Sequence, residues 1–313
     1  MAAFDRLNDG SQNAPRLRIQ QTLWGMMKLP MNAGKEWTLD EKFTRCQLAG
    51  FAGVECWLTD ENEIAVTEAL RRHHLRIALG HRPFILDDTK RVVERAVRVG
   101  ADYVMAQPAD AFTPLEKVVE LVREGRNVAN DAGLCYFVET HRNNFTETIP
   151  QTLALIEQVP EIRITADLSH FIVVGEFYGW EAERAHERML PVLERVSHIH
   201  GRISNGEQVQ VDCGEGEKPW ARFFVKLWTL AMRNWLAGAV PGDILPFCSE
   251  LGPPRYAITA PDGREISDRW EQGLVMKQLA EEAWAAAAPS KGASSVLVPR
   301  PESPGRAGEP AGL

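Results

Sequence analysis

Short apolar runs alternate with longer amphipathic stretches along most of the chain. Runs of branched and aromatic residues bounded by turn formers read as strands, and apolar residues three and four positions apart read as helices. The strand-like runs are Leu17–Leu23, Gly53–Trp57, Arg76–Leu79, Tyr103–Ala106, Leu134–Glu139, Ile162–Asp167, His198–Ile203 and Ile244–Glu250. The helical stretches between and after them are Trp37–Leu48, Glu63–His74, Asp88–Val99, Pro114–Asp131, Thr146–Gln158, Trp180–Val196, Trp220–Leu236 and Ser267–Ala288. Eight strand–helix units of about 30 residues each predict a (β/α)8 barrel in the α/β class. Gly50, Gly100 and Gly133 each close a helical stretch just before a strand, where a helix C-cap belongs. An open doubly wound sheet would show a glycine-rich phosphate turn after its first strand. Here that strand runs into LWGMMKLP, with no GxGxxG and no GxxxxGK[ST].

Three segments follow: a polar, flexible lead-in over 1–16, a barrel over 17–288 and a disordered Pro/Gly/Ser-rich tail over 289–313. The 44% hydrophobic share supplies a core for a 313-residue chain. A net charge of −8 opposes binding to a nucleic-acid backbone, which calls for a basic face. The five cysteines are scattered and odd in number and form no CxxC, the pattern of reduced thiols. The N-terminus has no apolar signal core, and no apolar run reaches the ~18 residues of a membrane span. A soluble cytoplasmic protein with no membrane or nucleic-acid partner is expected. The oligomeric state is not readable from the sequence; a homodimer or homotetramer is compatible with a barrel of this size, with WARFFVKLWTLAMRNW (220–235) serving as an interface or, more simply, packing on the barrel.

In a parallel barrel, active sites gather at the C-terminal strand ends. Four successive ends carry ligand-type residues: Glu139, Asp167, His200 and Glu250. One such residue is an ordinary cap or core polar group; four in succession are a constellation. Three carboxylates and one imidazole suit one divalent ion such as Mn²⁺, Mg²⁺ or Co²⁺, with Zn²⁺ as a further option. His170, three residues after Asp167, is itself a ligand type. His198 shares parity with His200 and lies one layer deeper, for support or substrate contact. Glu55 ends the second strand, either to hydrogen-bond a substrate hydroxyl or to pair with Arg82. His81 follows the third strand and Gln107 the fourth; both can reach the mouth. Trp24 and Trp57 can stack on a sugar's C–H face or fill the core.

The segments GFAGVECW (50–57), VETHR (138–142), DLSH (167–170), HIHGR (198–202) and SELGPPRY (249–256) resemble the xylose-isomerase-like TIM barrel superfamily over roughly residues 17–288. Within it they are most similar to the sugar phosphate isomerase/epimerase branch. The resemblance implies metal ligation by Glu139, Asp167, His200 and Glu250, and substrate contact by His170. Two positions depart from ketose 3-epimerases, which carry a second Glu where this chain has Phe145 and an Arg where it has Gly206. His141, Arg142, Arg202 and Gln208 stand nearby instead as candidate substrate contacts.

The expected function is a metal-dependent isomerase or epimerase acting on a sugar, keto-sugar or keto-polyol through an enediolate. Glu139 and Glu250 exchange the protons, assisted by His170. Arg202 or Arg142 can alternatively hold a phosphate or carboxylate of the substrate. A lyase is the alternative: the same enediolate expels a β-substituent if His141 or His170 serves as acid. An AP-endonuclease-like hydrolase fits less well, since the D-x-H of that branch is replaced by Asp212-Cys213-Gly214. A non-catalytic sugar-binding barrel would not need the complete ligand set.

Overall fold

The computed structural model describes residues 6–177 and 182–288. The tail expected from residue 289 onward lies outside them, as does the beginning of the helix expected over Trp180–Val196.

The strands are β1 (Arg16–Thr22), β2 (Gly53–Cys56), β3 (Arg76–His81), β4 (Tyr103–Ala106), β5 (Cys135–Glu139), β6 (Arg163–Ala166), β7 (Val196–Gly201) and β8 (Asp243–Ser249). Their ends differ from the expected ones by one or two residues. Each pairs in parallel with the next, and β8 pairs with both β7 and β1, so the sheet closes into an eight-stranded barrel. Between β6 and β7 the register shifts at Ile164/Thr165. Closure explains the composition of these strands. Both faces are buried along most of them, so strands such as β4 and β5 read as nearly continuous apolar runs with no amphipathic alternation, while β1 and β7 carry polar residues. Ala78, Tyr103, Met105, Cys135 and Phe137 fill the interior. Val104, Tyr136 and Val138 face the helices.

The helices are α1 (Leu39–Leu48), α2 (Glu63–Arg72), α3 (Leu86–Val99), α4 (Leu115–Asp131), α5 (Ile149–Gln158), α6 (Leu168–Val174), α7 (Ala182–Leu193), α8 (Pro219–Leu236) and α9 (Arg269–Ala287). Thr38 starts α1 with a capping box to Glu41, and Gly100 ends α3 at φ 75°, a left-handed conformation that glycine takes without strain. Helix α8 turns Phe224, Trp228 and Trp235 inward, and Trp228 packs edge-on against Phe247 of β8 at 5.1 Å. Burying each such ring contributes about 2 kcal/mol or more. The tryptophan-rich stretch is therefore largely committed to barrel packing.

Two elements differ from expectation. The helix expected from Thr146 begins at Ile149, because Phe145–Glu147 forms a separate 3₁₀ turn and Thr148 caps α5 by accepting from Gln151 N at 3.3 Å. Helix α6, which carries His170, was not expected at all. Leu168, Ser169, His170, Phe171 and Ile172 are all buried, so it has no polar face for periodicity to reveal. In the lead-in, Leu7–Asn8 pairs antiparallel with Ile244 and Asp243 of β8.

Candidate active site

The barrel register raises five ionisable groups to one level at the C-terminal end of the strands. Glu139 ends β5 and His200 lies near the end of β7. Glu55 lies on β2, while Asp167 and Glu250 immediately follow β6 and β8. One ligand atom from each of Glu139, Asp167, His200 and Glu250 lies within 4.8 Å of the others. His200 is the hub. Its Nδ1 is 3.1 Å from Glu139 Oε1 and 2.8 Å from Glu250 Oε2; its Nε2 is 3.0 Å from Glu55 Oε1. Asp167 divides its oxygens. Oδ1 accepts from Ser169 N at 3.1 Å and caps α6, while Oδ2 accepts from Arg202 Nε at 3.0 Å. A helix cap and a candidate ligand therefore coexist in one carboxylate.

The electrostatics show what this set lacks. Four carboxylates, from Glu55, Glu139, Asp167 and Glu250, surround one guanidinium and one hub imidazole, all with little or no solvent contact. Burial pushes the Glu139 carboxyl up to about 7, against the pull of His200. Burial would lower the His200 imidazole, but Glu250, Glu55 and Glu139 hold it well above its ordinary range. Burial also opposes ionisation of Asp167, yet His170 and Arg202 keep it well below the usual carboxylate range. The protein alone balances its excess of buried negative charge by retaining protons. A divalent cation would balance it instead, because buried charges require a partner or a metal. Glu55 faces Nε2 of His200, which leaves Nδ1 toward Glu139 and Glu250, the arrangement that orients a metal-binding imidazole.

Above this floor opens a cavity of about 470 Å³. Glu55, Gln107, His141, Arg202, Glu250 and Tyr256 face its polar side. Gln107 Nε2 donates to Glu139 Oε2 at 2.7 Å. Arg202, 1% exposed, donates through Nε to Asp167 and through Nη1 to Gln210 Oε1 at 3.1 Å, and its Nη2 lies 2.8 Å from Glu250 Oε2. The His141 ring packs against His170 with centroids 4.0 Å apart and planes tilted by 45°, and its Nε2 is 3.2 Å from the Tyr256 hydroxyl. Burial and His170 lower the His141 imidazole to about 3, so it is neutral. The Arg142 guanidinium sits 4.9 Å over the Tyr256 ring.

Several expected residues lie elsewhere. His81 points outward from β3 into the layer beneath the helices, packs edge-on against Tyr136 at 5.9 Å, and does not line the cavity. Strand alternation gives the inward place to Gly80. Glu55 does not pair with Arg82, whose guanidinium donates to Asn143 O instead. Gln208 is exposed and accepts from Asn205. His198 lies under the floor between Thr165 and Tyr103, at 3.0 and 3.2 Å, out of reach of a substrate in the cavity. His170, fully buried, sits behind His141. Trp24 and Trp57 both line the cavity.

The sequence reading missed Gln210, Tyr256 and Lys42. Gln208 and Gln210 have the same parity in GEQVQV, and the turn of the loop decides which one enters. Tyr256 ends the SELGPPRY segment; Arg255, at φ 101°, turns the chain there so that the ring reaches Trp24, 5.0 Å away edge-on. A non-glycine residue in that region carries backbone strain. Lys42 lies on α1, and nothing in its local sequence signals that α1 overhangs the mouth.

A closed parallel barrel with a carboxylate–imidazole cluster at the C-terminal strand ends defines the class. The chain belongs to the xylose isomerase-like TIM barrel family, whose profile matches residues 43–254. No curated protein matches it in sequence. Among solved structures it resembles a D-allulose 3-epimerase from Methylomonas in complex with D-allulose, at 13% identity and TM-score 0.57, over 87% of this chain and 99% of that one. It also resembles a xylose isomerase-like TIM barrel protein from Mycobacterium smegmatis in complex with magnesium, at 15% identity and TM-score 0.56, over 89% and 98%. A probable 3-DHS dehydratase involved in petrobactin synthesis in Bacillus anthracis matches at 15% identity and TM-score 0.50, over 84% and 98%. At these identities the likeness is one of fold.

Proposed function

We propose that the protein is a divalent-metal-dependent isomerase or epimerase acting on a sugar, keto-sugar or keto-polyol. The observation that carries this reading is the buried Glu139–Asp167–His200–Glu250 cluster at the mouth, with its surplus of negative charge. These four residues hold the ion. The chemistry such an ion supplies when bound is Lewis-acid polarisation of a carbonyl. The rest belongs to the chain. Glu250 lines the cavity and exchanges the proton next to the carbonyl on that side; Glu139, at the same level and held by Gln107, serves the other. Gln107 and Arg202 orient these carboxylates, and His141 offers a neutral imidazole to a substrate oxygen. Family membership and a structural neighbour acting as an epimerase agree with this reading.

A lyase is the second reading. Its support is the packed His141–His170 pair, in which His170 Nδ1 has no hydrogen-bond partner. On this reading His141 takes up the proton removed next to the carbonyl and returns it to the leaving group. NMR in D₂O, with ketoses, inososes, 3-keto-glycosides and sugar phosphates and added Mn²⁺, separates the readings. The first expects solvent deuterium next to the carbonyl and a stereoisomer or isomer; the second expects loss of water or aglycone. Glu250→Gln should slow deuterium exchange by about 100-fold or more. Exchange at the normal rate in that variant removes Glu250 as the proton carrier.

A further inference from the structure

The cavity above the metal-type floor has two chemically different sides. The apolar part of the lining consists of Leu23, Met27, Leu39, Trp57 and Val66, joined to the polar side by Trp24, whose ring lies 5.4 Å under the Arg202 guanidinium. These come from the segment after β1, from α1, from the segment after β2 and from α2. Both indoles lie over glycines. A Cβ on Gly80 would come within 2.6 Å of Trp57 Nε1, and one on Gly252 within 2.1 Å of Trp24. Bare backbone beneath each ring lets it lie there. The ammonium and amide groups on this wall already have partners. Lys42 pairs with Glu36, and Asn62 accepts from Thr59 N at 2.8 Å and donates to Trp57 O at 3.3 Å.

A free sugar carries hydroxyls around its whole rim. Those facing Leu23, Met27, Leu39 and Val66 would lose water without gaining a partner, which is costly. A sugar phosphate fits no better. Among the described residues lining the cavity the lysine and arginine side chains are Lys42 and Arg202, and carboxylates already neutralise both. At about 470 Å³ the cavity is in the range for a ligand of drug-like size. We propose that the site takes a two-part substrate, a sugar ring on the polar floor and an uncharged aromatic aglycone against the Trp24–Trp57 wall. The inference rests on reading the floor as a sugar site.

The test is calorimetry and tryptophan quenching on the Mn²⁺-loaded protein, with matched methyl and phenyl glycosides of glucose, galactose and xylose in both anomers. Phenol, cellobiose and glucose 6-phosphate complete the set. At least one phenyl glycoside should bind about 10-fold or more tightly than its methyl partner, since a buried ring adds apolar contact. In Trp57→Ala that ratio should fall toward one. Equal binding of phenyl and methyl glycosides overturns the wall while leaving the sugar floor intact. Binding of phenol but of no glycoside overturns the sugar floor. Tighter binding of cellobiose or glucose 6-phosphate than of every phenyl glycoside overturns the aromatic assignment. Failure of every probe overturns both.

Discussion

The β5–β8 side of the mouth and the β1–β4 side solve different problems. On the first, Glu139, Asp167 and His200 have no solvent exposure, and each is held by other charged groups. On the second, Trp57 is 44% exposed and Met27 43%, and contacts there are apolar. A buried charge network cannot lose one member without stranding the others. An apolar wall can change one side chain and lose contact area alone. On the proposed reading, chemistry is thus concentrated where substitution is least tolerated, and selectivity lies where it is most tolerated. Glu55 and Gln107 are exceptions: Glu55 stands on β2 and Gln107 follows β4, yet they reach across to His200 and Glu139.

Asp167→Ala breaks the first side most severely. It removes one ligand of the cluster and one partner of Arg202, so bound divalent metal should fall from about one ion per chain to near none, an affinity loss on the order of 100-fold or more. Elemental analysis of the purified variant reads this directly, and full metal retention would take Asp167 out of the ligand set. Glu55→Gln tests the crossing residue. Metal titration should show a 10- to 100-fold weaker site, as expected when the partner orienting a ligand imidazole is weakened; unchanged affinity would reduce Glu55 to a core group.

Gly80→Ala acts on the other side, with a lesser contact at 3.0 Å to the end of the flexible Met105 side chain in the barrel interior. The added methyl meets the Trp57 indole, so any aryl preference of about 10-fold should shrink toward one while metal content stays the same. Loss of metal in this variant would mean the two sides are not separable. The smallest effect belongs to His81, next along β3 but facing away. Burial lowers its imidazole from 6.5 to about 3. Between those values the folded chain binds fewer protons there than the unfolded chain, so stability is lost as pH falls below about 6.5. In His81→Phe that component should vanish, sparing about 1 kcal/mol at pH 5.5 in denaturant melts compared with pH 8. An unchanged pH profile would place the proton uptake at other groups.

Much of this was legible along the chain. Apolar runs spaced by helical stretches announced the eight strands, and glycines after α1, α3 and α4 punctuated them. Strand ends exposed Glu139, Asp167, His200 and Glu250 because polar residues closing apolar runs stand out. What failed had physical causes. Helix α6 is buried along Leu168–Ile172 and its exposed end is valine, so it lacks a period. His81 was offered to the mouth although alternation assigns that place to Gly80, because the end of β3 is two residues later than its apolar run. Gln208 and Gln210 differ only through the fold of their loop.

The sequence by itself determined the barrel, its strand order and the identity of the strand-end carboxylates and imidazole, because these follow from periodicity and position within each unit. The tertiary structure decided which of them meet. Closure of β8 onto β1 brings Glu250 and Glu55 to the two ring nitrogens of one histidine, although 195 positions separate them along the chain (250 less 55). It also decided that α1, α2 and two indoles over bare glycine backbone form the opposite wall. Contacts between distant segments depend on the distances and angles of packed elements, which no local pattern records.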